Sequence, residues 1–163
     1  MEIKMALCLP RDAASVPVTR RVLDRCLETL GVTPDTRADI ALALSEACAN
    51  VVQHAGPGEE YQVQVSARNR QCVIEVVNAG SRTCTVQDGR GTGQERLGGS
   101  ARVGHPVPAT AEHGRGLKII HAVADNMRLT GNDRHGTTVH FEKTLQWLPG
   151  AAGQHLFNAD SDS

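Results

Sequence analysis

One long helix, bracketed on both sides by residues that permit nothing else, is the feature that most restricts this chain. Thr33-Pro34 offers a capping hydroxyl followed by proline at the first helical position, and Gly56-Pro57-Gly58 forbids continuation. Between these limits Ile40, Ala43, Leu44, Ala47 and Val51 recur at helical spacing, which predicts a helix from Pro34 to about His54. An apolar stripe of this kind has to be buried against another layer of structure.

The flanking segments supply that layer. Glu2 to Leu9 partly alternates, with Ile3, Met5 and Leu7 on one side, as a strand does. From about Val16 the apolar positions Val18, Val22, Leu23, Cys26, Leu27 and Leu30 recur at helical spacing, and Gly31 is the stop. Tyr61 to Ala67 alternates, Asn69-Arg70 turns, and Cys72 to Val77 resumes with β-branched residues, which is a hairpin. A further helix starts directly on Gly114-Arg115-Gly116. Met127 to Thr130 reads as a strand, Asn132 to Gly136 as a turn, and Thr137 to Thr144 as a last strand with Val139 and Phe141 on one face.

This order of elements predicts an α+β fold: a two-layer sandwich of a mixed, mostly antiparallel sheet with helices on one face. At 163 residues one domain is expected, over residues 1–145, with 146–163 as a flexible C-terminal tail. Apolar residues make up 40% and aromatics 2%, so Val, Leu, Ile and Ala must fill the core. Residues 78–113 are rich in Gly, Pro, Ser and Thr and follow neither period, the mark of a functional or mobile loop.

Charge and composition exclude several function classes. A net charge of −1 without a Lys/Arg run argues against direct nucleic-acid binding. No run of apolar residues is long enough for a membrane span, and Met1 to Arg11 lacks the segments of a signal peptide, so a cytoplasmic location is expected. Cys8, Cys26, Cys48, Cys72 and Cys84 are odd in number and contain no C-x-x-C pair. They read as reduced thiols, the first four as small core hydrophobes and Cys84 as the one at the surface. The histidines, His113, His121, His135 and His140 among them, have no zinc-ligand spacing, and His54 is expected to meet the last carbonyls of its helix.

Glu46 and Asn50 stand four apart on the long helix, so both point the same way. Such a pair is usually a solvated helix edge. Here Ala43, Ala47, Cys48 and Ala49 surround it and leave room for a ligand, a carboxylate being fit to accept a proton and an amide oxygen to bind Mg²⁺. Gly114 and Gly116 open a helix whose free N–H groups attract phosphate, a weak signal taken alone. Gly91-Thr92-Gly93 and Gly98-Gly99 are no phosphate loop, because no Gly-Lys-Ser/Thr follows and no strand leads in. Arg90, Arg96 and Arg102 there read as solvated charges or occasional phosphate contacts.

Taken in order, Ser45 to Ala55, Asn78-Ala79-Gly80, His113-Gly114-Arg115-Gly116-Leu117 and Gly136-Thr137-Thr138-Val139 resemble the GHKL ATPase superfamily. Within it the short form looks like the bacterial anti-sigma factor serine/threonine kinases. Each motif falls on the element already assigned to it, and that joint agreement carries the resemblance, which spans roughly Val16 to Lys143. It implies ATP and Mg²⁺ as cofactors, Glu46 as general base and Asn50 as the metal ligand. Asn78, Gly80 and Thr137 would lie at the adenine, Gly114, Arg115, Gly116 and Leu117 at the phosphates, and residues 81–113 would form the lid.

The partners implied are a sigma factor, which the protein would sequester, and a small antagonist protein, which it would phosphorylate on Ser or Thr. A homodimer is a further implication of the likeness. One residue departs from the pattern: Asn78 stands where the family has the aspartate that accepts the adenine amino hydrogen. A neutral amide in place of that carboxylate predicts weaker ATP binding, by on the order of 1–3 kcal/mol. The rival reading is therefore a module of the same fold that uses little or no nucleotide and regulates a partner by contact alone.

Overall fold

The computed structural model describes residues 1–54, 60–78, 114–132 and 136–158. Nine elements follow one another along the chain: β1 (Glu2–Pro10), α1 (Ser15–Thr29), α2 (Pro34–His54), β2 (Glu60–Arg68), β3 (Gln71–Asn78), α3 (Gly114–Val123), β4 (Asn126–Asn132), β5 (Gly136–Thr144) and α4 (Ala152–Asn158). Gly80, Cys84, the three lid arginines and the expected lid at 81–113 lie outside the described residues, as do Asp133 to His135.

The five strands form one sheet in the order β1-β2-β3-β5-β4, and every pairing among them is antiparallel. Register puts the apolar residues on a common face. Leu7 pairs with Val63, Val63 with Val76, Val76 with Val139 and Val139 with Leu129, a row that crosses all five strands. On this face Tyr61, Val63, Ile74, Val76, Val139 and Phe141 are fully buried under the helices. The turn between β2 and β3 is tight because Asn69 and Arg70 both take positive φ, 49° and 65°, the conformation that matches the twist of a hairpin.

The α2 stripe is as expected: Ile40, Ala43, Leu44, Ala47 and Val51 are all buried. The buried face of α1 differs from the expected one. Val18 is 55% exposed and Val22 37%, and Cys26 is exposed, whereas Ser15, Thr19, Leu23 and Leu27 are buried. The reason is the hydroxyl of Tyr61. Buried on the sheet, it donates to Ser15 Oγ at 2.7 Å, while the Ser15 proton goes to the carbonyl of Asp12 at 2.6 Å. A buried hydroxyl without a partner is costly, so Ser15 and Thr19 face the sheet in line with Leu23 and Leu27, and Val18 and Val22 face outward.

The C-terminal segment also departs from expectation. Residues 145–158 are not a flexible tail: Leu145 and Phe157 are buried, and Trp147 pairs with Val32 and stacks on Phe157 with ring centroids 5.5 Å apart. Gly153 makes this possible, because a Cβ there would run into the Trp147 ring and would stand 2.7 Å from the carbonyl of Leu30. The two aromatic residues of this end, Trp147 and Phe157, therefore close the core beneath the α1–α2 turn.

Candidate nucleotide site

α2 carries the first half of the site. Its start is secured by Thr33, whose carbonyl accepts from the Arg37 amide at 3.0 Å and whose hydroxyl donates to Thr36 at 2.9 Å. Its orientation is secured by the buried apolar stripe, which leaves Glu46 half-buried at the edge and Asn50 with 9% exposure. Burial also pushes the thiol of the intervening Cys48 up to about 12, so it stays protonated and packs as an apolar residue.

α3 carries the second half and begins where the glycines said it would, at Gly114. Leu117 and Ile120 are buried and seat the helix on α2, and Arg115 is exposed. The two glycines are not equivalent. A Cβ on Gly114 would meet nothing within 4 Å, whereas one on Gly116 would stand 2.8 Å from Oε2 of Glu46. The first turn of α3, with its free N–H groups, thus lies directly against the carboxylate of α2.

The sheet carries the third part. Asn78 ends β3 on the inner face, paired with Tyr61 and 1% exposed. Its Oδ1 is buried in the sheet's inner face. Val77 pairs with Thr138, so Thr137 lies at the same end of the adjoining strand, on the same face as Asn78. Sequence reading had no means of telling Gly116 from Gly114, since the difference lies in the distance to another helix.

The donor set fits a magnesium nucleotide. Asn50 offers one neutral oxygen at the margin of the core, Gly116 sets the first turn of α3 against Glu46, one helical turn before Asn50, and Asn78 offers a buried amide that can hydrogen-bond a base. Among the described residues there is no group of three or more His, Cys, Asp or Glu side chains that could hold a metal ion, and Mg²⁺ bound through phosphates needs none. No helix among them is long and apolar enough to cross a membrane.

A sheet covered on one face by α2 and α3, with a carboxylate and an amide on one and a glycine turn on the other, defines a nucleotide-binding class. The chain belongs to the histidine kinase-like ATPase domain family, whose profile matches residues 9–143. Within that class it is similar to serine-protein kinases named RsbW. That of Bacillus velezensis is 30% identical over 139 residues, 84% of this chain and 82% of the relative. That of Bacillus mycoides is 25% identical over 143 residues, 88% of this chain and 86% of the relative. A solved structure of the RsbU and RsbW domains of a Mycobacterium tuberculosis protein has the same fold, with a TM-score of 0.61 at 18% identity over 88% of this chain. The match spans 32% of that longer chain.

Proposed function

We propose that the protein is an ATP-dependent kinase of the anti-sigma factor type, which sequesters a sigma factor and phosphorylates a small antagonist protein on Ser or Thr. The observation that carries this reading is the approach of Gly116 to Glu46, because it sets a phosphate-binding helix end beside a candidate general base. Bound Mg-ATP would supply the transferable γ-phosphoryl group. Glu46 would accept the proton of the partner's hydroxyl as its oxygen bonds to the γ-phosphorus and the bond to the β–γ bridging oxygen breaks, releasing ADP, and Asn50 would hold Mg²⁺ through Oδ1. The first N–H groups of α3, with Arg115, would hold the phosphates, Leu117 would seat that turn, and Asn78, Gly80 and Thr137 would receive the adenine.

The relatives' name, serine-protein kinase, supports the reaction class, which is the one this residue set suits. Radiolabelled ATP, incubated with the protein and the small protein that co-purifies with it, should label the partner on Ser or Thr. Glu46→Ala should lower the rate by about 10²–10⁴-fold. Equal labelling by the wild type and the variant, or none by either, would end the kinase reading.

Asn78 favours a second reading, a module that works by contact alone. A partner that co-purifies with both the wild type and Asn50→Ala, with no labelling, is the result it predicts.

A further inference from the structure

Away from the proposed nucleotide contacts, one lysine joins the two helices that carry them. Nζ of Lys143, on β5, donates to Oδ2 of Asp39 on α2 at 2.7 Å and to the carbonyl of Val123, the last residue of α3, at 2.6 Å. The Lys143 side chain is 18% exposed and that of Asp39 40%, so the lysine is largely buried where it makes both bonds. The backbone beside it adds two more ties. The Asp125 amide donates to the carbonyl of Glu142 at 2.9 Å, and Asp125 Oδ2 accepts from the Thr144 amide at 2.6 Å. The trailing end of α3 is thereby fixed to β5 and to α2, with a cation on the negative end of its dipole.

The spacing of these contacts matches that of the site. Glu46 lies seven positions after Asp39 on α2, and Val123 seven positions after Gly116 on α3. Seven residues are nearly two turns, so each pair falls on one face of its helix, about 10 Å apart. The two helices run antiparallel and meet at both ends of that interval: Gly116 against Glu46, and Val123 with Asp39 on one ammonium. A shift or rotation of α3 along α2 would disturb both meetings together.

We infer that Lys143 is a positioning residue: by holding the end of α3 to Asp39, it sets the distance from the glycine turn to Glu46 and Asn50. The geometry is independent of the ligand, and its effect on catalysis rests on the kinase reading above. Lys143 touches no reacting group. Replacing it by methionine keeps the aliphatic stem and removes both bonds.

The test compares Lys143→Met, Lys143→Arg and Asp39→Asn in the full chain by hydrogen exchange of backbone amides and by steady-state phosphoryl transfer. In Lys143→Met, exchange in α3 should rise by about tenfold or more while β2 and β3 keep their protection. KM for Mg-ATP should rise about fivefold or more, since the phosphate-binding turn no longer stands in place. A preparation that is merely part-unfolded would lose apparent kcat and keep its KM. Lys143→Arg, which retains a cation with several donors, should return KM to within about twofold of wild type. Asp39→Asn keeps an acceptor, serves if the methionine variant does not fold, and should raise KM by a smaller factor. Unchanged α3 exchange, or an unchanged KM in both Lys143→Met and Asp39→Asn, overturns the inference. If the wild type transfers no phosphoryl group, the kinase reading fails by itself and the exchange result alone decides the positioning role.

Discussion

Gly116 and Glu46 meet so closely that no side chain fits between them, a Cβ on the glycine falling 2.8 Å from Oε2 of the carboxylate. The clash is with the far end of a side chain that can turn away, so Gly116→Ala should fold. Alanine in a helix is more favourable than glycine by about 0.5–1 kcal/mol, so its melting temperature should equal or exceed that of wild type. On the kinase reading, phosphoryl transfer should nonetheless fall about tenfold or more, because Glu46 is displaced from the turn proposed to bind the phosphates. Thermal melting beside a transfer assay checks both halves; a fully active variant would show the contact to be incidental.

Asn78 lies where a carboxylate would be costly without a ligand and useful with one. At 1% exposure, Asn78→Asp buries a charge, so the nucleotide-free variant should lose on the order of 1–3 kcal/mol of stability. Its affinity for Mg-ATP should rise about ten- to a hundredfold, and ATP should raise its melting temperature more than that of wild type. Melts with and without nucleotide measure this crossing of effects.

The C-terminal segment should be needed for stability rather than for the site. Deleting residues 147–163 removes the Trp147–Phe157 stack and exposes the core beneath it, at about 2–4 kcal/mol. Denaturant unfolding should show that loss, while Mg-ATP titration of the folded fraction stays within about twofold of wild type.

Thiol chemistry separates the cysteines. Cys26 is exposed and should react with a disulfide reagent in the native protein, whereas Cys48 and Cys72 are buried and should react only on unfolding. Burial pushes the thiols of Cys48 and Cys72 up to about 12 from an ordinary 9.0. Folded values above the unfolded ones mean that this contribution to stability is complete below pH 9 and is lost as pH rises from there towards 12. Replacing both by Ala should flatten the alkaline limb of a melting-temperature profile.

Acid acts on the opposite side. A hydrogen bond from Arg37 holds the Asp24 carboxyl below its ordinary value of 3.8, and the Thr144 amide does the same for Asp125. Lowered folded values mean stability that is present above about pH 4 and lost as pH falls through the lowered values. Both groups are near the surface, so the effect should be small and should shrink with added salt. Melting temperatures across pH 2–5 at two ionic strengths, with Asp24→Asn as comparison, check the direction.

How much of this was readable in the chain depends on what each feature rests on. The α2 limits, the Asn69-Arg70 turn and the alternating strands follow from local rules, and all stand in the structure. The buried face of α1 is not legible in the sequence because counting apolar residues cannot reveal that Tyr61, 46 positions from Ser15, needs a buried partner. The order of the 145–158 segment is not legible in the sequence because its helix is short and its anchor, Trp147 on Val32 and Phe157, is a tertiary contact. That Glu46 and Asn50 lie one turn apart on α2 is legible from the sequence alone. The place of Gly116 opposite Glu46 and of Lys143 between two helices is not, since each is set by packing between segments far apart in sequence.

The central claim is that α2 and α3 together bind a magnesium nucleotide, and calorimetric titration of ATP tests it most directly. Wild type should bind with measurable heat at millimolar ATP, binding should weaken about tenfold or more when EDTA removes Mg²⁺, and Asn50→Ala should bind equally weakly with or without the metal. Wild type showing no heat at millimolar Mg-ATP, with Asn78→Asp equally silent, would contradict it.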